Sequence, residues 1–235
     1  MQLFYTPDID PKNSQYFLSE EESKHSIKVL RMAVGDKLQL IDGRGGLYEA
    51  EITDAHPKRT ILKINSVITE YGKRNHYLHI AIAPTKNMER LEWFLEKATE
   101  IGIDEISLII CQRSERKEAK IERLDKILTS AIKQSLKAYH PVLNEAVSFH
   151  NFLSKSFDGQ KFIAHCIPGN KANLKDVIEP KGRYLILIGP EGDFAPAEVD
   201  EALQQGYKAI TLGESRLRTE TAALEACFEA NFLNR

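Results

Sequence analysis

The sequence predicts an α/β protein: a mainly parallel sheet with helices on its faces, preceded by a small β-rich unit. Three observations carry this. From residue 73 onward, apolar runs of strand length alternate with segments of helical period. Two of those runs, at 185–188 and 209–212, are continuous rather than alternating, which suits strands buried on both faces. Residues 1–72 instead hold short strand-like runs separated by glycine turns, the pattern of a small barrel.

In the first unit, Leu3-Phe4-Tyr5 reads as an edge strand. Ser19 through Glu22 fits a capping box, in which the Ser19 hydroxyl and the Glu22 carboxylate satisfy each other's backbone donors. A helix is expected from there through Arg31, ended by Val34-Gly35-Asp36. Residues 37–42, 47–53 and 60–67 read as strands, with Gly43-Arg44-Gly45-Gly46 as a turn. The polar stretch 70–76 marks a boundary, giving expected domains of 1–72 and 73–235.

In the second unit, strands are expected at 78–83, 105–110, 161–166, 185–188 and 209–212. Met88, Leu91, Leu95, Ala98 and Ile101 recur at helical spacing, with Gly102 as the cap beyond the last turn. Residues 121–138 read as a long helix. Pro196 suits the first position of the next helix. Thr219 suits the start of the last one, whose buried stripe is expected to include Leu224, Cys227, Phe228 and Phe232.

Composition excludes several classes. The net charge of −2 over 235 residues gives no whole-chain sign of nucleic-acid binding. Locally, residues 112–140 carry eight Lys/Arg against four acids, a basic patch or a solvated helix face. The cysteines, Cys111, Cys166 and Cys227, are odd in number and widely spaced. They suggest buried packing in a reducing, cytoplasmic setting, with no disulfide framework and no metal site. No secretion signal and no membrane-spanning run is expected. The sequence lacks GxxxxGK[ST], GxGxxG after a strand, HExxH and GxSxG.

What remains is a pair of matching turns. Each continuous apolar run stops at a glycine, Gly189 or Gly213, and a helix start follows. Ligands of open α/β sheets bind outside the carboxyl ends of the strands, which is where both turns fall. Glycine there permits φ > 0 and close approach of the backbone to a ligand. The glycines alone leave an ordinary strand–turn–helix connection equally open. Arg218-Thr219-Glu220-Thr221 adds a cation, a carboxylate and two hydroxyls at a helix start, suited to an anion or a polar substrate. His25, Lys28, Arg31 and Arg44 are polar candidates in the first unit for a large anionic partner, against the reading of a solvated helix face and turn.

Together these residues resemble the RsmE family. The resemblance rests on GPEGDF at 189–194 and LGESRLRTETAAL at 212–224. It extends to HSIKVLR at 25–31 with Gly35-Asp36, KNMERLEWFLEKATEIG at 86–102, and Arg113-Ser114. The family methylates N3 of a uridine in small-subunit (16S) ribosomal RNA and belongs to the SPOUT superfamily. The resemblance therefore implies a PUA-like RNA-binding barrel and a SPOUT domain with a trefoil knot. It implies S-adenosyl-L-methionine as cofactor and a homodimer acting on 16S rRNA or the small ribosomal subunit.

By the same resemblance, Ile188, Gly189, Glu191 and Gly192 form one cofactor loop. Leu212, Gly213, Ser215, Arg216 and Leu217 form the other, with His165 and Cys166 in a third segment. Arg218, Glu220 and Thr221 face the transfer site; the chemistry of the residues then selects Arg218 as the catalytic electrostatic stabiliser and Glu220 as the carboxylate that takes the proton or orients the group that does. The RNA-binding set is His25, Lys28, Arg31, Arg44, Arg113, Arg116 and Lys137. Four places depart from the family pattern: Asp193 where a third glycine is usual, Lys133 for Glu, Lys137 for Arg, and Gln2-Leu3-Phe4-Tyr5 at the amino terminus. The alternatives are a SPOUT ribose 2′-O-methyltransferase and a non-catalytic RNA-binding assembly factor.

Overall fold

The computed structural model describes residues 2–235. It divides into two compact units: the chain up to Lys73 together with Ile132–His140, and Arg74–Ala131 together with Pro141–Arg235.

The first unit is a curled sheet of five strands in the order β1-β3-β4-β5-β2. These are β1 (Leu3–Tyr5), β2 (Gln15–Phe17), β3 (Lys37–Ile41), β4 (Leu47–Asp54) and β5 (Ile61–Ile68). β1 runs parallel to β3 and the other pairs are antiparallel. Phe4, Leu38, Leu40, Tyr48, Ile52 and Leu62 fill the interior. β2 is a strand the sequence pattern did not show. Its three residues, two of them exposed, carry no apolar alternation.

Helix α1 (Glu20–Lys24) begins as expected at Ser19, whose side chain accepts the Glu22 amide. The expected reciprocal bond is replaced: Glu22 pairs with Lys133 at 3.0 Å. The regular helix is also shorter than expected. After Lys24 the turn widens into a π-helix, His25–Val29, with the Leu30 amide bonded to His25 O at 3.0 Å. The Met32 amide then reaches back to Ser26 O at 3.0 Å, and Arg31 sits at φ 56°. This seven-to-one closure is one residue wider than the six-to-one helix ending that usually puts glycine in the left-handed position. His25, Lys28 and Arg31 are all exposed.

The second unit is a seven-stranded, all-parallel sheet in the order β10-β12-β9-β11-β6-β7-β8. Its chain order is β6 (Tyr77–Ile82), α2 (Met88–Ile101), β7 (Glu105–Ile110), α3 (Ile121–Gln134), β8 (Val142–Ser148), α4 (Phe149–Leu153), β9 (Gln160–Ala164), β10 (Ala172–Asn173), α5 (Leu174–Val177), β11 (Arg183–Ile188), α6 (Pro196–Gln204), β12 (Lys208–Thr211) and α7 (Thr219–Phe232). β11 inserts between β6 and β9, so the strand order reverses there. Helix α3 is one turn shorter than its expected end at Ala138: Leu136 takes φ 55°, which a helix cannot continue through. Among the described residues no helix is long and apolar enough to cross a membrane.

Both faces of this sheet are buried, as the continuous apolar runs require. Tyr184, Ile186 and Ile188 of β11 face a core shared with Leu91, Phe94 and Leu95 of α2. Leu185 and Leu187 face a second core with Phe149, Phe194 and Val199. The α7 stripe meets expectation at Cys227 and partly at Leu224, and differs at the two phenylalanines. Its buried positions are small residues, Ala223, Ala226, Cys227 and Ala230, which let α7 lie close to α2. Asn231 Nδ2 bonds the Gly102 carbonyl at the end of α2 at 2.8 Å. Phe228 and Phe232 point out, 43% and 55% exposed. Cys166 is likewise exposed, while Cys111 and Cys227 are buried as expected.

A buried polar group ties β6, β7 and β8. His79 lies 2.8 Å from Ser107 Oγ and 3.5 Å from Glu105. Tyr77 and Asn144 also donate to Glu105. Burial pushes the His79 pKa down to about 4 against the pull of Glu105. The unfolded chain protonates this ring near pH 6.5 and the folded chain does not. Stability attributable to neutral His79 is therefore full above that value and is lost as pH falls toward 4. The loss over that window is expected to reach up to about 3 kcal/mol. Urea unfolding of wild type and His79→Asn across pH 4–7 checks it; equal pH slopes would exclude His79 as the source.

Candidate functional site: a crevice at the carboxyl ends of three strands

The carboxyl ends of β9, β11 and β12 open into one cavity of about 760 Å³. This lies within the roughly 300–1,000 Å³ range of small-molecule and cofactor sites. It sits beside the point where the strand order reverses, the place where such sheets bind ligands. Three segments form its walls: 164–167 after β9, 188–193 after β11, and 210–219 after β12.

The β11 segment is a fixed turn. Its apolar strand stops at Gly189, and the Asp193 amide closes the turn onto Pro190 O at 2.8 Å. A Cβ on Gly189 would lie 3.0 Å from the Phe194 ring and 3.2 Å from its backbone nitrogen, so a side chain there displaces the turn. Asp193 takes φ 60°, the left-handed position that its short polar side chain tolerates. The turn is also held from outside. Glu191 Oε1 accepts the Lys86 amide at 2.8 Å, and Arg113 Nη1 donates to Gly192 O at 2.9 Å and Phe194 O at 3.3 Å. Beyond it α6 starts at Pro196, with Glu198 accepting the Ala195 amide at 2.8 Å.

The β12 segment is more open. Gly213 turns the chain at φ 111°, and residues 213–216 are exposed. Arg218 is extended and caps α7, so Thr219 is the first helical residue rather than the cap. Thr219 and Glu220 are buried.

Of the residues singled out from sequence, His165, Ile188, Gly189, Glu191, Leu212, Gly213, Ser215, Arg216, Leu217 and Arg218 all line the cavity. Three do not. Gly192 packs against Arg113, Thr221 is exposed on the first turn of α7, and Glu220 turns inward beneath the wall. Glu220 Oε1 is 3.8 Å from Arg90 on α2, and its Oε2 is buried without a hydrogen-bond partner among the described residues. Cys166, Lys171, Asp193, Glu214 and Thr219 also line the cavity. Lys171 carried no local signal, because only the path of the chain after β9 brings it to the wall.

The His165 imidazole is held below its usual pKa by burial, and the Lys171 ammonium acts in the same direction. The ring is therefore neutral near pH 7, and its buried Nδ1 has no partner among the described residues. A wall that combines apolar side chains, exposed turn backbone, one unpaired ring nitrogen and both charge signs suits a zwitterionic, nucleoside-sized ligand.

The candidate RNA residues fall in both units. Arg44 donates to Pro7 O and, at 3.2 Å, to Ile9 O. Arg113 donates to Gly192 O and Phe194 O, and Arg116 donates twice to Lys86 O, at 3.2 and 3.0 Å. Their guanidiniums thus fasten the cavity turn and its neighbour. Lys137 is half-buried, its amide bonded to Ile132 O at 3.0 Å.

A doubly wound sheet with a cofactor-sized crevice at its switch point defines a small-molecule-binding α/β domain. Comparison with known families makes this specific. Residues 73–229 match the RNA methyltransferase domain model, and residues 18–65 match the RNA methyltransferase PUA domain model. A probable rRNA-methyltransferase from Porphyromonas gingivalis is 41% identical with a TM-score of 0.92, over 100% of this chain and 98% of that one. The ribosomal RNA small subunit methyltransferase E of Neisseria gonorrhoeae, crystallised with S-adenosyl methionine, is 28% identical with a TM-score of 0.86, over 100% and 98%. The enzyme of the same name from Buchnera aphidicola is 28% identical over 232 residues, 96% of this chain and 90% of that one. The chain belongs to the RNA methyltransferase family, in its ribosomal RNA small subunit methyltransferase E (RsmE) group.

Proposed function

We propose that this chain transfers a methyl group from S-adenosyl-L-methionine to N3 of a uridine in 16S rRNA. The observation that carries the reading is the cavity itself, built from three strand ends and lined by both glycine turns. Its residues fit the cofactor. The unpartnered His165 Nδ1 and the turn backbone offer hydrogen bonds to a nucleoside, and Ile188, Leu212 and Leu217 offer apolar contact. Bound S-adenosylmethionine supplies a methyl group activated by its sulfonium.

The chain's own residues must then make uracil N3 a nucleophile. N3 carries a proton at neutral pH, and its loss puts negative charge on the ring oxygens. Arg218, at the cavity wall and at the positive end of α7, stabilises that charge. Glu220, buried beside Arg90, is the carboxylate that takes the N3 proton or orients the group that takes it. The target base leaves its stack to reach the site. Exposed His25 and Lys28 of the π-helix, and exposed Arg31 after it, contact rRNA phosphates, as, separately, does the basic 112–140 segment.

The RsmE likeness supports a trefoil-knotted SPOUT domain, a PUA-like domain at 1–72, and action as a homodimer in the cytoplasm, where small subunits are assembled. The exposed Phe228 and Phe232 rings, stacked at 6.0 Å, are an apolar surface fit for a subunit contact.

The test is a labelling assay. Labelled S-adenosylmethionine is incubated with unmodified small subunits and with naked rRNA, and the modified nucleoside is identified by mass spectrometry. N3-methyluridine is expected. A ribose-methylated nucleoside would overturn the assigned atom, and no label together with no cofactor binding would overturn the enzyme.

A further inference from the structure

The cavity wall after β9, residues 165–167, has no helix or strand to hold it. Two charged side chains hold it instead. Asp193 Oδ2 accepts the Cys166 amide at 2.9 Å. Lys171 Nζ donates to His165 O at 2.8 Å and to Ile167 O at 2.9 Å. One N–H and two carbonyls from three consecutive residues are thus satisfied by side chains that themselves line the cavity. The second Asp193 oxygen accepts the Phe194 amide at 2.9 Å, which fixes the carboxylate's direction. Asp193 belongs to the β11 turn, so its bond to Cys166 joins two of the three walls.

We propose that Asp193 and Lys171 are positioning residues that pre-form the 165–167 wall of the cofactor site; this rests on the methyltransferase reading above. Hydrogen bonds to charged partners are stronger than neutral ones and hold a segment that secondary structure leaves loose. Without them, the ligand must order the segment as it binds, and affinity falls by that cost.

The left-handed backbone at Asp193 makes a clean test possible. Glycine occupies φ 60° without strain, so Asp193→Gly removes the carboxylate and keeps a turn that the backbone tolerates. Asp193→Asn keeps a side-chain oxygen acceptor and tolerance of the same φ. Lys171→Met keeps a long stem without the donors.

Two measurements on the full chain decide the matter. In the ligand-free protein, hydrogen exchange of the Cys166 amide is expected to rise at least about tenfold in Asp193→Gly. By calorimetry, S-adenosylmethionine affinity is expected to fall about tenfold in Asp193→Gly and several-fold in Lys171→Met, with Asp193→Asn, which can accept from only one of the two amides, falling between wild type and Asp193→Gly. The loss should appear in KM for the cofactor, with kcat at saturation nearly unchanged. Exchange and affinity within twofold of wild type in Asp193→Gly would overturn the proposal. A wild type that binds no S-adenosylmethionine would overturn the function itself and the cofactor half of this proposal; the exchange measurement would still decide whether the clip exists.

Discussion

Arg218→Ala is expected to lower methyl transfer by at least about 10²–10³-fold, the loss typical of removing one preorganised charge-stabilising group. Cofactor affinity should stay within several-fold of wild type. The structure explains why the two quantities separate. The side chain is exposed at the cavity wall, and among the described residues no hydrogen bond or ion pair engages its guanidinium. Truncation therefore leaves no hole and no buried orphan. The backbone role of Arg218, whose carbonyl accepts the Ala222 amide at 2.8 Å in the first turn of α7, survives in alanine. Stability should change little. Arg218→Lys keeps the charge and loses the planar fork, so it should recover only part of the rate. Single-turnover kinetics with calorimetry on the same preparations checks this. A parallel collapse of cofactor binding would make Arg218 a cofactor ligand and remove it from the transfer step.

Glu220, proposed as the catalytic carboxylate, lies less directly at the cavity than the sequence suggests. Arg218, Glu220 and Thr221 sit together in the sequence, but a helix start sends them three ways. Arg218 meets the cavity, Glu220 is buried toward Arg90, and Thr221 faces out. Spacing alone could not separate them, because the rotation of α7 is set by its partner helix. That rotation also accounts for the aromatic stripe. A reading that buries the largest apolar residues selects Phe228 and Phe232. The close contact with α2 selects Ala223, Ala226 and Ala230. Small residues at helical spacing were the available signal.

The cavity strands were legible for the opposite reason. Continuous runs such as Leu185-Ile186-Leu187-Ile188 have no polar face to offer water, so both faces must be covered. β8 was hidden because it lies at the sheet edge, where Asn144 and Glu145 interrupt the apolar pattern. The π-helix at 25–29 and the left-handed Arg31 and Leu136 were hidden because no glycine marks them. Asp193 was legible as a departure from a glycine pattern. Its bond to Cys166, 27 residues away, was not, since it depends on β9 and β11 lying side by side.

Phe194→Ala is expected to destabilise the protein by about 3–5 kcal/mol, the range for emptying a large, fully buried aromatic site. Phe194 has 0% of its surface exposed and packs against Phe149 at 5.4 Å between ring centroids. It shares a core with Ala83 just past β6, Leu187 of β11 and Val199 of α6, which cannot all close in on the void. The ring is also the floor under Gly189, so its loss removes the surface on which this cavity turn rests. Affinity for S-adenosylmethionine should therefore fall together with stability. Phe194→Leu, which fills most of the volume, should cost under half as much in both. Urea midpoints and cofactor titrations on the two variants measure the coupling. If Phe194→Ala lost stability with full cofactor affinity, the turn would be holding its shape through the Pro190–Asp193 closure and the Arg113 bonds alone. In that case the core packing beneath the site would serve the fold rather than the ligand.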